Sequence, residues 1–322
     1  MLTDAPELPE LSRRTGVIAL LVALATTLVA VFHRSMIADA VTTLSTADSE
    51  WLPVAGLGTV GLWVAGTASQ AGTLPVRLPV GRLFAVQVAA SFANHVAPAG
   101  VGGAVVNLRF LRRHGVAMGA GVAALSLNAA AGAIAHVLLL AALALFVPGA
   151  VLAATGVIPL PVLLWAGAAV LALCVTATVT ARRAPRGSAV LQGPLCRVRG
   201  HLTDLRTVLD DRRRALALWS GALATPAIHV LVLYAVTQAL GVPINPAAVG
   251  AVYLTVSTLS ALVPAPGALG AFDVLLVAGL TAVGVPAASA LAATVAYRLV
   301  TVWLPLVPAG CLLALLVRRN VI

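Results

Sequence analysis

Runs of about 18 or more apolar residues recur from one end of the chain to the other, which points to a bundle of membrane-crossing helices. A bilayer core offers no water to backbone amides and carbonyls, so each run must satisfy its own hydrogen bonds as a helix. Composition agrees: 61% of the 322 residues are hydrophobic and 9% are charged, against about 25% charged in an ordinary soluble domain. The longest polar stretch, Arg182 to Arg214, is too short for an appended soluble catalytic domain. The expected fold is all-α and polytopic, a single transmembrane domain over residues 1–322.

The pattern predicts spans at 17–33, 51–70, 117–147, 157–181, 215–240 and 286–317. A short amphipathic segment at 35–47 suits the membrane surface. Two further apolar segments, 82–108 and 246–283, are interrupted by proline and glycine. The breaks fall at Pro98, Gly100, Gly102 and Gly103 in the first and at Pro264, Pro266, Gly267 and Gly270 in the second.

Arginines orient these spans. All 20 basic residues are arginine and the net charge is +10. They fall between hydrophobic runs, where topology and anionic lipids explain them better than nucleic acid does. Arg13 and Arg14 predict a cytoplasmic N-terminus, and Arg318 and Arg319 a cytoplasmic C-terminus, in the cell membrane. Arg77 and Arg82 precede the first broken segment, and Arg109, Arg112 and Arg113 follow it. A single crossing cannot begin and end on one side, so this segment is expected to enter and return as a re-entrant hairpin. The second broken segment lies between uncharged turns and is expected to dip in from the opposite side. The basic loop 182–214 is cytoplasmic in this scheme. Only Arg34 then faces out, and only Arg298 remains within the membrane.

The broken segments align. Ser91 matches Ser257, Pro98 matches Pro264, and Gly100 with Gly103 matches Gly267 with Gly270; downstream, Gly115 matches Gly284. Three predicted crossings separate them, so the units 51–150 and 215–317 should be inverted repeats. Matched breaks in inverted repeats are the pattern of secondary transporters, whose sites lie near the midplane.

Asp273 is the acid expected inside the bilayer, and Arg298 lies about 18 Å into the last span at 1.5 Å per residue. A charge there costs at least about 2.5 kcal/mol on insertion scales, so it is paired or functional. One reading is a structural ion pair between the two. The other gives Arg298 an anionic lipid group to hold, with Asp273 balancing it. Asn94, His95 and Asn128 are the next candidates for a polar cavity, and Arg109 is the better functional candidate among the arginines that end the first hairpin. His136 and His229 read more readily as helix–helix hydrogen-bonding residues.

Other motifs lose their chemistry in context. GLGTVG at Gly56 to Gly61 matches a dinucleotide fingerprint but lies within an apolar span with no strand before it, so close helix packing is the better reading. DDRRR at Asp210 to Arg214 reads as a solvated loop end. ADA at Ala38 to Ala40 resembles a signal-peptidase site, but the run before it is long for a signal and more spans follow. Of three cysteines, Cys174 and Cys311 fall in apolar spans and Cys196 in the basic loop, with no disulfide or metal spacing. No cofactor, metal or catalytic set is expected.

NHVAPAGVGGAVVNLRFLRRHGV and LVPAPGALGAFDVLLVAGLTAVGVPAASALAATVAYRLVTVWLP resemble the transmembrane region of the lysylphosphatidylglycerol synthase family, also called flippase-like integral membrane proteins. The most specific residues are Pro98, Gly102, Gly103 and Arg109, then Pro264, Pro266, Gly267, Gly270, Asp273, Tyr297 and Arg298. The family often has glutamate at the position of Asp273 and glycine at that of Ala268. The resemblance implies movement or handling of polar-headed lipids, and it adds Tyr297 to the candidate site.

The expected function is therefore a lipid flippase or lipid-linked transporter. A phospholipid or polyprenyl-phosphate head group would enter between the hairpins, with anionic membrane lipids as partners. A scaffold docking a lipid synthase or glycosyltransferase through the 182–214 loop is the alternative. A lipid-modifying enzyme using Asp273 as a base is a third reading, set below the other two.

Overall fold

A computed structural model describes residues 47–74, 76–97, 101–154, 210–262 and 271–322. The predicted spans 17–33 and 157–181, nearly all of the 35–47 segment and most of the 182–214 loop lie outside the described residues. So do Pro98, Gly100, Pro264, Pro266, Gly267 and Gly270.

The described residues are helical, with no strand among them. The first unit comprises α1 (Trp51–Thr73), α2 (Val80–Val96), α3 (Gly102–Arg113), α4 (Met118–Phe146) and the short α5 (Pro148–Ala154). The second comprises α6 (Arg212–Ala239), α7 (Pro246–Leu262), α8 (Ala271–Ala282), α9 (Ala287–Arg298), a π-turn (Leu299–Trp303) and α10 (Leu304–Arg318). Four helical stretches among the described residues are long and apolar enough to cross a membrane: α1, α4, α6 and the continuous run Ala287–Arg318. The chain is a membrane-embedded, multi-pass helical protein.

Helices α1 and α6 form the central pair, and small residues set their separation. A Cβ on Gly58 would stand 2.4 Å from Val232, one on Gly221 would stand 2.4 Å from the Ala65 carbonyl oxygen, and one on Gly72 would stand 2.4 Å from the Leu218 amide nitrogen. In lipid, where apolar surface gains little by leaving the tails, backbone approach of this kind is what drives helix association. Moving up α1 from Gly58 to Gly72 moves down α6 from Val232 to Leu218, so the two helices run antiparallel. GLGTVG thus serves packing through Gly58, while a Cβ on Gly56 would meet nothing within 4 Å.

The first broken segment folds into two antiparallel helices, and the second into two helices that pack on each other. Asn94 near the end of α2 meets Gly103 at the start of α3, and Gln87 further back meets Asn107 further on. In the second unit, Val252 and Val256 of α7 pack on Gly279 of α8. Both hairpins end alike. Val116 N–H donates to the Leu111 carbonyl, and Val285 N–H donates to the Leu280 carbonyl, each at 3.0 Å. The residues between are Gly115 (φ 78°) and Gly284 (φ 95°), in the left-handed region glycine adopts without strain.

The hydrophobic interior is split. One cluster joins α2, α3 and α10 through Leu83, Phe92, Phe110, Leu111 and Leu313. A larger one joins α6 to α9 through Val232, Val252, Leu276, Leu280 and Ala293. Several of the described arginines gather at one end of the bundle. Arg113 donates to the Asn320 carbonyl at 2.5 Å, bringing the ends of α3 and α10 together. Gly72, close to Arg77, packs on the backbone at Arg214.

Candidate functional site

A cavity of about 660 Å³ opens between these cores, and α1, α2, α3, α4, α6, α7, α8, α9 and the π-turn all contribute to its wall. It has two chemically different sides.

On one side stand five carboxamides, those of Gln70, Gln87, Asn94, Asn107 and Asn128. They are held by one another and by backbone. Ser69 Oγ donates to Asn128 Oδ1 at 2.5 Å, and Asn128 Nδ2 donates to Gln70 Oε1 at 3.4 Å. Gln87 Nε2 donates to Asn107 Oδ1 at 3.0 Å, while Asn107 Nδ2 donates to the Gly103 carbonyl at 2.8 Å. Gly103 N–H in turn donates to Asn94 Oδ1 at 2.8 Å. This last bond uses an amide that the first turn of α3 leaves without an intrahelical partner. A Cβ on Gly103 would fall 2.7 Å from the Asn94 amide, so glycine is what lets the side chain reach.

The other side is aromatic and cationic: His229, Tyr253, Phe272, Tyr297 and Arg298. Arg298 Nε donates to Asp273 Oδ1, and its guanidinium lies 4.9 Å from the Phe272 ring centre. The family's usual glutamate is therefore not needed for reach, because α8 carries Asp273 in its first turn, against the last residue of α9. His229 Nδ1 and the Tyr297 hydroxyl share a hydrogen bond of 2.7 Å, and the His229 ring stacks on Tyr253 at 5.3 Å.

The π-turn begins immediately after Arg298. One extra residue per turn leaves carbonyls without their usual partners, and such turns often mark functional sites. Thr59 Oγ1, reaching from α1, donates to the Val300 carbonyl at 3.2 Å and supplies one of them.

The cavity brings together Arg298, Tyr297, Asn94, His95 and Asn128 from the sequence candidates. Asp273 joins them through Arg298. Gly103 lines the wall, and Gly102 packs where a Cβ would meet the Ala93 carbonyl at 2.0 Å. Arg109 does not join the group: it is exposed on α3, in the helix rather than after it, and outside the lining. His136 fits its bland reading, with Nε2 hydrogen-bonded at 3.0 Å to the Leu254 carbonyl between α4 and α7. His229 does so too, through its bond to Tyr297 between α6 and α9, and it lines the cavity as well.

Gln70, Gln87, Asn107, Thr59, Thr225 and Tyr253 were not singled out from sequence. A signal existed. Thr59 and Thr225, Trp63 and His229, Gln87 and Tyr253, and Asn94 and Ser260 are each separated by the same number of residues as Ser91 and Ser257. All eight line the cavity. Among the described residues, no group of three or more His, Cys, Asp or Glu side chains comes together as a metal site would require.

These features define a multi-pass helical membrane protein built around a polar cavity. The sequence profile of the lysylphosphatidylglycerol synthase TM region matches residues 16–309, and the chain belongs to that family. A comparison with curated proteins returns no match.

Proposed function

We propose that the protein is a lipid flippase or lipid-linked transporter, and not an enzyme, that carries the polar head of a phosphate-bearing lipid through the cavity while the tails stay in the bilayer. The observation that carries this reading is Arg298, a cation paired to Asp273 and set in the wall of a polar cavity inside a membrane-embedded bundle. A cation kept at such depth is expensive, and a cavity between broken helices is where membrane proteins place it for use.

The reading includes inverted repeats with re-entrant hairpins. Three observations support it. The leading helices of the two units, α1 and α6, run antiparallel. Each unit then has two short helices that pack on each other, α2–α3 or α7–α8, followed by a long span. The cavity wall repeats at constant sequence spacing across the units. The basic end of the bundle, with Arg77, Arg113, Arg214 and Arg319, is then the cytoplasmic one of the cell membrane. Alternating exposure of one central site by movement of the two units is the mechanism that follows from such symmetry.

The test is lipid movement in liposomes containing the purified chain, with head-group-labelled phosphatidylglycerol, aminoacyl-phosphatidylglycerol and polyprenyl-phosphate lipids. Wild type should move at least one of them, and Arg298→Gln should not, with both proteins equally folded. Movement of none, with full stability, would turn attention to a scaffold acting through the 182–214 loop.

A further inference from the structure

Of the matched pair Ser91 and Ser257, Ser91 lines the cavity, while Ser257 bonds to His136 instead. Ser91 belongs to a polar stripe that α2 turns to the cavity: Gln87, Ser91, Asn94 and His95, at i, i+4, i+7 and i+8. Backbone groups fix which end of each side chain is left over, because a carbonyl only accepts and an amide N–H only donates. Asn107 Nδ2 donates to the Gly103 carbonyl at 2.8 Å, so Asn107 Oδ1 is the end that takes Gln87 Nε2 at 3.0 Å, and Gln87 Oε1 remains. His95 Nδ1 lies 2.6 Å from the Ser91 carbonyl and so carries the ring proton, which leaves Nε2 of the neutral imidazole as an acceptor. The Ser91 hydroxyl spends its proton on the Val88 carbonyl at 2.7 Å. Asn94 Oδ1 is taken by the Gly103 N–H, so Asn94 Nδ2 is the donor of the stripe.

Gln87 Oε1 and His95 Nε2 have no hydrogen-bond partner among the described residues, and neither is sealed from open space. The nearest atom to a Cβ built on Gly66, another residue of the wall, is Gln87 Oε1 at 3.8 Å. In a polar cavity such acceptors bond to water. A ligand that displaces the water without donating leaves both unpaired, and a site arranged to pair a polar group rejects the analogue that lacks it. Phosphate oxygens are acceptors, which suits Arg298 and not two further acceptors. The stripe therefore calls for a group that donates.

We infer that the α2 stripe selects lipids whose phosphate carries a hydrogen-bond-donating group, a hydroxyl or a primary ammonium, with Gln87 and His95 as the specificity-determining residues. This deepens the transporter reading and rests on it. With the phosphate held at Arg298, the group attached to it is what meets the stripe. A choline nitrogen bears only carbon and offers neither acceptor a proton, so choline-headed lipids are disfavoured. Gln87 Oε1 and His95 Nε2 are the operative atoms.

The test is calorimetric binding to the full chain in detergent. The probes are dioctanoyl-phosphatidylglycerol, dioctanoyl-phosphatidylethanolamine and dioctanoyl-phosphatidylcholine. The glycerol head, the ethanolamine head or both should bind roughly tenfold more tightly than the choline head, the worth of one or two good hydrogen bonds. Which of them does so identifies the donor as hydroxyl or ammonium. His95→Asn keeps an N–H where Nδ1 stands and removes Nε2. It should cut the preference by about threefold or more and leave phosphatidylcholine binding unchanged. His95→Gln, which returns an acceptor to the Nε2 position, should restore it. The inference is overturned if phosphatidylcholine binds as tightly as both other lipids, or if His95→Asn keeps the full preference or weakens every lipid alike. The wild-type ranking decides the matter even if that variant does not fold. The parent reading fails separately: phosphatidylcholine bound in an Arg298-dependent manner keeps it alive whatever the ranking, and no binding of any probe removes both.

Discussion

Arg298, the last residue of α9, donates from Nε to the carboxylate of Asp273 in the first turn of α8, with side-chain exposures of 11% and 22%. The bond ties the returning arm of the second hairpin to the last span at the cavity wall. A pair this sheltered repays its desolvation only while both partners are present.

Arg298→Ala should therefore destabilise the protein by about 2–4 kcal/mol by leaving Asp273 without its cation. Removing both charges, as Asp273→Asn with Arg298→Gln, should recover most of that loss. It should not recover lipid movement. Thermal unfolding in detergent, set beside transport in liposomes, separates the structural role of the pair from its functional one.

The antiparallel seam between α1 and α6 should be intolerant of a single methyl group at Gly221. A Cβ there would stand 2.4 Å from the Ala65 carbonyl oxygen, and backbone does not yield as a side-chain tip would. Gly221→Ala should cost about 1–3 kcal/mol, the usual range for overpacking. Gly56→Ala, whose Cβ would meet nothing within 4 Å, should leave the melting temperature unchanged.

Arg109 lies outside the cavity, so Arg109→Ala should leave lipid binding and movement as in wild type. Loss of binding equal to that of Arg298→Gln would extend the site to the end of α3.

Sidedness follows from the hairpin reading. In a background with Cys174, Cys196 and Cys311 replaced, cysteines at Gly81 and Arg112 should be labelled from the cytoplasmic side alone. Cysteines at Glu50 and Gly149 should be labelled from the outside alone. Labelling of Gly81 and Arg112 from opposite sides would mean that the segment crosses the membrane.

Much of this architecture was legible in the sequence because a bilayer imposes simple rules. Length and hydropathy delimit α1, α4 and α6 to within a few residues, and Gly115 and Gly284 mark the hairpin ends through the one conformation glycine adopts freely. Charges stand out against hydrocarbon, so Arg298 and Asp273 were found. Neutral polar residues stand out less: Asn94 and Asn128 were singled out, and others in the wall were not. Gln70, Gln87 and Asn107 each sit singly in helices where one amide barely changes the hydropathy, and their pairing depends on which helices meet. The π-turn after Arg298 was not read from the sequence either, although Pro305, which has no N–H to give the preceding turn, follows it by two residues. Arg109 misled for the opposite reason: its charge is conspicuous, but its place on α3 turns it outward.

The central claim is that lipid heads pass through the cavity itself, and Gly66 offers the most direct test. Gly66 lines the cavity, and the nearest atom to a Cβ built there is Gln87 Oε1 at 3.8 Å, so a large side chain can grow into the open space. Lipid translocation should be measured in liposomes for wild type and Gly66→Phe, with melting temperatures taken in parallel. The account predicts that the plugged protein stays folded and moves lipid no faster than protein-free liposomes. Translocation at the wild-type rate with the cavity filled would contradict it.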